Sequence, residues 1–247
     1  MHVGSDHSDK GTVGISGPVF KNDSFEFIPI RDGRYSNETR TYSTISSRNQ
    51  KYGKKLANFI PYDVKYKKVH YDPDFENFTY ADPLSSHRGN MLEKLFPGDY
   101  LFFVASLAPY NKSDYQENNR RKILSAQKGK MSKYIIGYFQ IKLILKIDKN
   151  KTKLKILNKE KLDEKSRNQL KHNAHYKRIS DKFIIAIGNK NRKSSLLQKA
   201  IKITKKGAPF EPNSTGKKIY GDVSYPRGFK MIKDEKRIDF LLKTVNA

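Results

Sequence analysis

The stretch YIIGYFQIKLILKI (134–147) decides the fold class. It is rich in Ile, Phe and Tyr, residues that suit a pleated, half-buried surface better than a helix. It reads as one long strand or two, with Gly137 near the start. KNK (149–151) turns the chain into KLKIL (153–157), whose alternation fits a hairpin partner with one wet face. Upstream, GDYLFFVASL (98–107) is a turn followed by a buried strand, and downstream KFIIAIG (182–188) is another.

Around these strands the signals are shorter. Phe25 and Phe27 mark a strand in SFEFIPI (24–30), and the polar 31–58 reads as loop with a short helix at 49–58. VHYDPDFENFTYADP (69–83) carries two Asp-Pro pairs, which break any long helix and predict an ordered, irregular loop. A helix is expected at Asn90–Phe96, stopped by Pro97-Gly98, and another over 162–172 with Asp163 as its N-cap. The polar 109–132 reads as an exposed loop, SSLLQKA (194–200) as a short helix opening on two serines, and IKIT (201–204) as strand. The whole predicts an α+β fold: one domain over 1–247 with a central mixed or mostly antiparallel sheet, or a small barrel, and short flanking helices. Residues 205–247 stand as a C-terminal extension.

Composition narrows the function. The 247 residues include no cysteine, which excludes disulfides, thiol catalysis and thiolate metal sites. No run approaches the roughly 18 apolar residues of a membrane span, and MHVGSDHSDKG lacks a signal-peptide pattern; a cytoplasmic location is expected. The formal net charge is +25, and it is uneven: residues 1–105 carry 14 Lys/Arg against 13 Asp/Glu, the remainder 36 against 12. Such asymmetry suggests a polyanionic partner. Its bland counterpart is the joint abundance of Lys, Ile, Asn and Tyr typical of AT-rich genomes.

Four constellations could carry chemistry. HVGSDHSDKG (2–11) gathers His2, Asp6, His7 and Asp9, a mixture suited to a divalent metal or to general base catalysis; a hydrogen-bonded turn is the bland equivalent. In 69–83, with His70, Asp72, Asp74, Glu76, Asp82 and nearby His87, acids interleave with Tyr71, Phe75, Phe78 and Tyr80, which could stack a base while the acids read its edge; an aromatic loop packed on the sheet would read the same. The pair GDYLFFVASL and YIIGYFQI is similar in pattern to small barrels of the PUA, ASCH and EVE group, which bind modified bases or RNA. Finally, Gly188, Lys190, Arg192 and Lys193 followed by Ser194-Ser195 at a helix start would suit a phosphate, with His175 and Arg178 folded against the same site. It is not a Walker A loop, and a charged surface loop is its bland equivalent.

Four segments resemble a known family together: GSDHSDKGTVGISGPVFKNDSFEFIPI (4–30), HYDPDFENFTYADP (70–83), GDYLFFVASL with YIIGYF (134–139), and NAHYKRISDKFIIAIGNKNRKSSLLQKAIKIT (173–204). They resemble the third group of nucleotide-modification-associated domain proteins. The resemblance spans most of 3–204 and leaves the tail outside. It implies association with systems that modify DNA bases, and it supplies no catalytic residue. The nominated residues therefore come from side-chain chemistry: Asp6, His7, Asp72 and His175 as catalytic; Arg178, Lys190, Arg192, Lys193, Ser194 and Ser195 for phosphate or nucleic acid; Tyr71, Phe75, Phe78 and Tyr80 for stacking. No residue is assigned as a metal ligand and no cofactor is assigned. The leading expectation is a module that binds nucleic acid (DNA favoured over RNA) or a nucleotide, in base modification or the recognition of modified bases. The alternative is a metal-assisted or acid/base hydrolase or transferase acting on nucleotides. A single site requires that 4–17, 70–83 and 173–195 meet at one cleft.

Overall fold

A computed structural model describes residues 1–5, 13–33, 36–148, 153–156, 162–178, 182–190, 194–221 and 230–246. The strands are β1 (Gly17–Val19), β2 (Ile30–Arg31), β3 (Val69–His70), β4 (Thr79–Pro83), β5 (Tyr100–Pro109), β6 (Ser132–Asp148), β7 (Lys153–Ile156), β8 (Lys182–Gly188), β9 (Ser194–Lys202), β10 (Thr204–Lys205) and β11 (Ala208–Pro212). The helices are α1 (His87–Leu92), α2 (Lys112–Tyr115), α3 (Arg120–Gln127), α4 (Glu164–His172), α5 (Ala174–Lys177), α6 (Ser214–Tyr220) and α7 (Glu235–Asn246).

β6 is one unbroken strand and the spine of a seven-stranded sheet of order β1-β5-β6-β8-β4, with β7 and β9 also paired to β6. Its first half pairs antiparallel with β5 and β9, its second half with β8 and β7. The β1–β5 pair is parallel, so the sheet is mixed. Among the described residues the sheet forms no closed barrel, and with its flanking helices the fold is α+β. Period-two alternation places Leu143, Leu145 and Ile147 with Ile185, Ile187 and Leu170 in one core, whereas Ile144, Ile184 and Ala186 join the main core with Phe103 and Phe139. Ile219 of α6 and Leu241 of α7 belong to that main core too, so the tail shares it. A third cluster forms beneath 42–69 around the fully buried Tyr42 and Phe59, with the Tyr42 hydroxyl donating to the Pro29 carbonyl (2.8 Å).

Several expectations need correction. SSLLQKA is the start of β9, not a helix. Its buried residues Ser194, Leu197 and Ala200 recur every third position, as a helix would show, because the pairing with β6 shifts register between Ile135 and Gly137. The 109–132 loop contains α2 and α3; Asn119 caps α3 by accepting from the Lys122 N–H, and Ile123 and Gln127 face inward. SFEFIPI is largely irregular, with one bridge at Phe25 and a short strand only from Ile30. The helix expected at 90–96 starts earlier and stops at Leu92, and that expected at 49–58 is a 3-10 turn over Leu56–Phe59.

Gly137 has a packing role. A Cβ there would lie 2.4 Å from Phe75 Cε1 and 2.6 Å from the Ser195 carbonyl. Its bare backbone lets Phe75 lie against the sheet, edge-on to Phe103 and Phe139, and so seats the 70–83 loop. Gly137→Ala is expected to destabilise the fold by about 1–3 kcal/mol through overpacking. Urea denaturation checks this, and an unchanged midpoint would contradict it.

Candidate functional site

A cavity of about 300 Å³ opens where four stretches of chain meet. Its walls include His2 to Gly4, Ile30, His70, Asp72, Tyr80 to Pro83, Arg88, His175 and Arg178. β4 supplies one wall and is fixed to the sheet by its register with β8, Tyr80 opposite Ala186 and Asp82 opposite Ile184.

Asp72 sits at the centre. The Ala81 N–H donates to both its carboxylate oxygens (3.2 Å each), and Asn173 Nδ2 donates to Oδ1 (3.1 Å). Asn173 also caps α5, its Oδ1 accepting from the His175 N–H (2.9 Å). One buried amide therefore aligns His175 with Asp72. Asp72 Oδ2 lies 3.8 Å from His175 Nε2 and 4.0 Å from His70 Nε2, and the two rings meet edge to face with centroids 4.7 Å apart. All three residues are buried. Burial pushes the Asp72 carboxyl well above the usual range, the nearby Asp82 and Asp74 adding to the effect against the Ala81 and Asn173 hydrogen bonds. Burial lowers His70 to about 4, helped by His175 and Arg178, so its ring is neutral near pH 7.

The rim is ordered by further polar contacts. Asp32 Oδ1 lies 3.5 Å from His70 Nδ1 and accepts from Arg178 Nε (3.1 Å) and Nη2 (3.0 Å). Arg178 Nη2 is also 3.2 Å from His70 Nδ1, so the partner of that nitrogen follows the ring's tautomer. Burial opposes ionisation of Asp32, but the His70 hydrogen bond and the Arg178 charge hold it well below the usual range. Asp82 accepts from the Tyr80 hydroxyl and from Ser86 Oγ (2.6 Å each), and Ser86 caps α1. Two imidazoles and carboxyl groups facing one small cavity can move protons or hold a divalent ion through an N,N,O ligand set.

Of the nominated residues, the structure brings Asp72, His175, Arg178 and Tyr80 to the cavity. Asp6, His7, Arg192 and Lys193 lie outside the described residues. Lys190 is exposed, Ser194 is buried in β9 with its Oγ accepting from the Gln140 N–H (3.1 Å), and Ser195 Oγ donates to the Leu196 carbonyl (3.1 Å); none of the three lines the cavity. With no helix beginning at 194, the helix-terminus phosphate site expected there does not form. The aromatic residues make no stacking row: Phe75 is core, Phe78 packs edge-on to Phe139, and Tyr71 lies under the Arg40 guanidinium, 4.8 Å from its centroid. Asp74 closes the 74–79 turn, accepting from the Glu76 and Asn77 N–H groups (2.9 Å each). Asp32 and Asn173 escaped the sequence reading, Asp32 because Asp-Gly reads as a turn and Asn173 because a lone amide before a short helix carries little signal.

The sequence model for nucleotide modification associated domain 3 matches residues 2–239. The chain belongs to that family. The match continues past 204 through α6 and into α7, so the tail is not outside it. No curated protein and no solved structure matches the chain. Membership in the family associates the chain with nucleotide modification. No helix among the described residues is long and apolar enough to cross a membrane.

α5 is held from outside by Glu38, whose carboxylate has no exposed side-chain surface. It accepts from Arg40 Nε (3.0 Å) and Nη2 (2.8 Å) and from Lys177 Nζ (2.9 Å). Burial would raise its pKa, but these donors hold it at about 2. The depressed value stabilises the fold above the ordinary glutamate range near about 4.3, a contribution lost as pH falls towards about 2. Glu38→Gln is expected to cost about 1–3 kcal/mol at pH 7. In urea denaturation the gap between wild type and variant should close as pH falls from about 4.5 to about 2; a constant gap would contradict the ion pairing.

Proposed function

We propose that the chain is a nucleotide-modifying enzyme whose cavity takes a single base, from a free nucleotide or from one turned out of DNA. The observation that carries this is the convergence of His70, Asp72, His175 and Asp82 on one cavity of about 300 Å³. That volume is at the low end for small-molecule sites. A base enters it singly, which in DNA requires extrusion from the stack. Carboxylates accept from exocyclic amino groups, and the two imidazoles line the same cavity. Arg88 on the wall brings the positive charge that phosphate recognition uses. Membership in the nucleotide modification family supports the substrate class. The excess of Lys and Arg after residue 105 supports DNA as the polymer partner. An enzyme is favoured over a stacking module because Phe75 is committed to the core, whereas the ionisable groups face the cavity.

Calorimetry with the four deoxynucleoside monophosphates and a short single-stranded oligonucleotide tests the reading. One of these ligands is expected to bind, and Arg88→Ala should weaken it roughly tenfold or more, as loss of a charge-assisted hydrogen bond does. Absence of binding by every ligand, or equal affinity in the variant, would overturn the assignment of the cavity.

A further inference from the structure

We infer that His70, Asp72 and His175 form a binding site for one divalent first-row transition-metal ion. One suitable ligand atom from each of the three lies within 4.8 Å of the other two, all three residues are buried, and they come from β3, the loop after it and α5. The separations from Asp72 Oδ2, 3.8 Å to His175 Nε2 and 4.0 Å to His70 Nε2, are too long for hydrogen bonds. The three groups thus face one another across a gap instead of bonding. Ligands about 2.1 Å from a common ion stand about 3.0–3.5 Å apart, so side-chain adjustments of about 1 Å or less would close the set.

The surroundings point the same way. A ligating imidazole commonly donates its other ring N–H to a carboxylate. Asp32 Oδ1 is 3.5 Å from His70 Nδ1, so an ion on Nε2 fixes the tautomer in which Nδ1–H turns to Asp32. The Asp32 side chain has no exposed surface; Arg178 pairs with its Oδ1, while its Oδ2 takes no hydrogen bond among the described residues. Asn173 holds Asp72 Oδ1, and Oδ2, which also accepts from the Ala81 N–H, faces the two rings. Two nitrogens and one carboxylate suit Fe²⁺, Co²⁺, Mn²⁺ or Zn²⁺, and three protein ligands leave open positions towards the cavity for water or substrate. This deepens the functional reading and rests on the same cavity being the working site.

The test uses the metal alone. Chelator-treated full-length protein is titrated with Co²⁺, followed by visible absorption, and with Mn²⁺ and Zn²⁺ by calorimetry. One ion per chain is expected, with binding abolished in His175→Ala and Asp72→Asn. Asp32→Asn should keep the stoichiometry and weaken affinity about 10–100-fold. His87→Ala, at an exposed histidine on α1, should change nothing. No saturable binding by wild type, or binding retained in His175→Ala and Asp72→Asn, overturns the site. Should those variants fail to fold by circular dichroism, X-ray absorption of the Co²⁺-loaded wild type decides: imidazole scattering from two histidines supports the site, and its absence overturns it. Metal binding without nucleotide binding would sink the functional reading alone, and nucleotide binding without metal binding would sink this one alone.

Discussion

The hydrogen bond from Asn173 Nδ2 to Asp72 Oδ1 joins the two halves of the cavity. A buried carboxyl is costly unless it is hydrogen-bonded. Here it is met by a strand N–H from β4 and by an amide that simultaneously caps α5. The Asn173 amide also donates to Thr79 Oγ1 (3.1 Å), so the loop, the strand and the helix are tied at one point. Together with the Lys177–Glu38 pair, that tie holds the short α5 where it presents His175 to Asp72.

The rest of the molecule supports this arrangement from the sheet outward. β6 carries the sheet, β8 hangs from its second half, and β4 from β8. Asp82 therefore stands on a wall fixed by ladder hydrogen bonds, which limits its drift. The opposite side is loop, yet it too is secured: the Val3 N–H donates to the Val104 carbonyl (2.8 Å) and the Ser5 N–H to the Ile28 carbonyl (2.8 Å). A site built this way holds its groups in place before a ligand arrives.

Much of this was legible in the sequence. The strands β5, β6 and β8 are announced by the β-branched and aromatic runs at 98–107, 134–147 and 182–188, and Asp163 as the cap of α4 by its position. Asp72 is nominated from the acids interleaved with aromatics in 69–83, and His175 and Arg178 as neighbours of the basic loop at 188–195; the structure brings all three to a cavity that Lys190, Ser194 and Ser195 do not line. The failures have physical causes. β9 mimicked a helix because a register shift replaced period two by period three. α2 and α3 were hidden because most of their residues face water and few anchor the core. Asp32 is separated from His70 by a long stretch of chain, and no local pattern reports such a contact.

The central claim is that the cavity around Asp72, and not the basic surface, meets the nucleotide. Hydrogen exchange of the wild-type protein, with and without a saturating deoxynucleoside monophosphate or oligonucleotide, tests it most directly. The account predicts slowed exchange in 70–83 and 173–178, the segments that converge on the cavity. Protection confined to the Lys-rich 112–130 or to 188–205, with 70–83 unchanged, would contradict it.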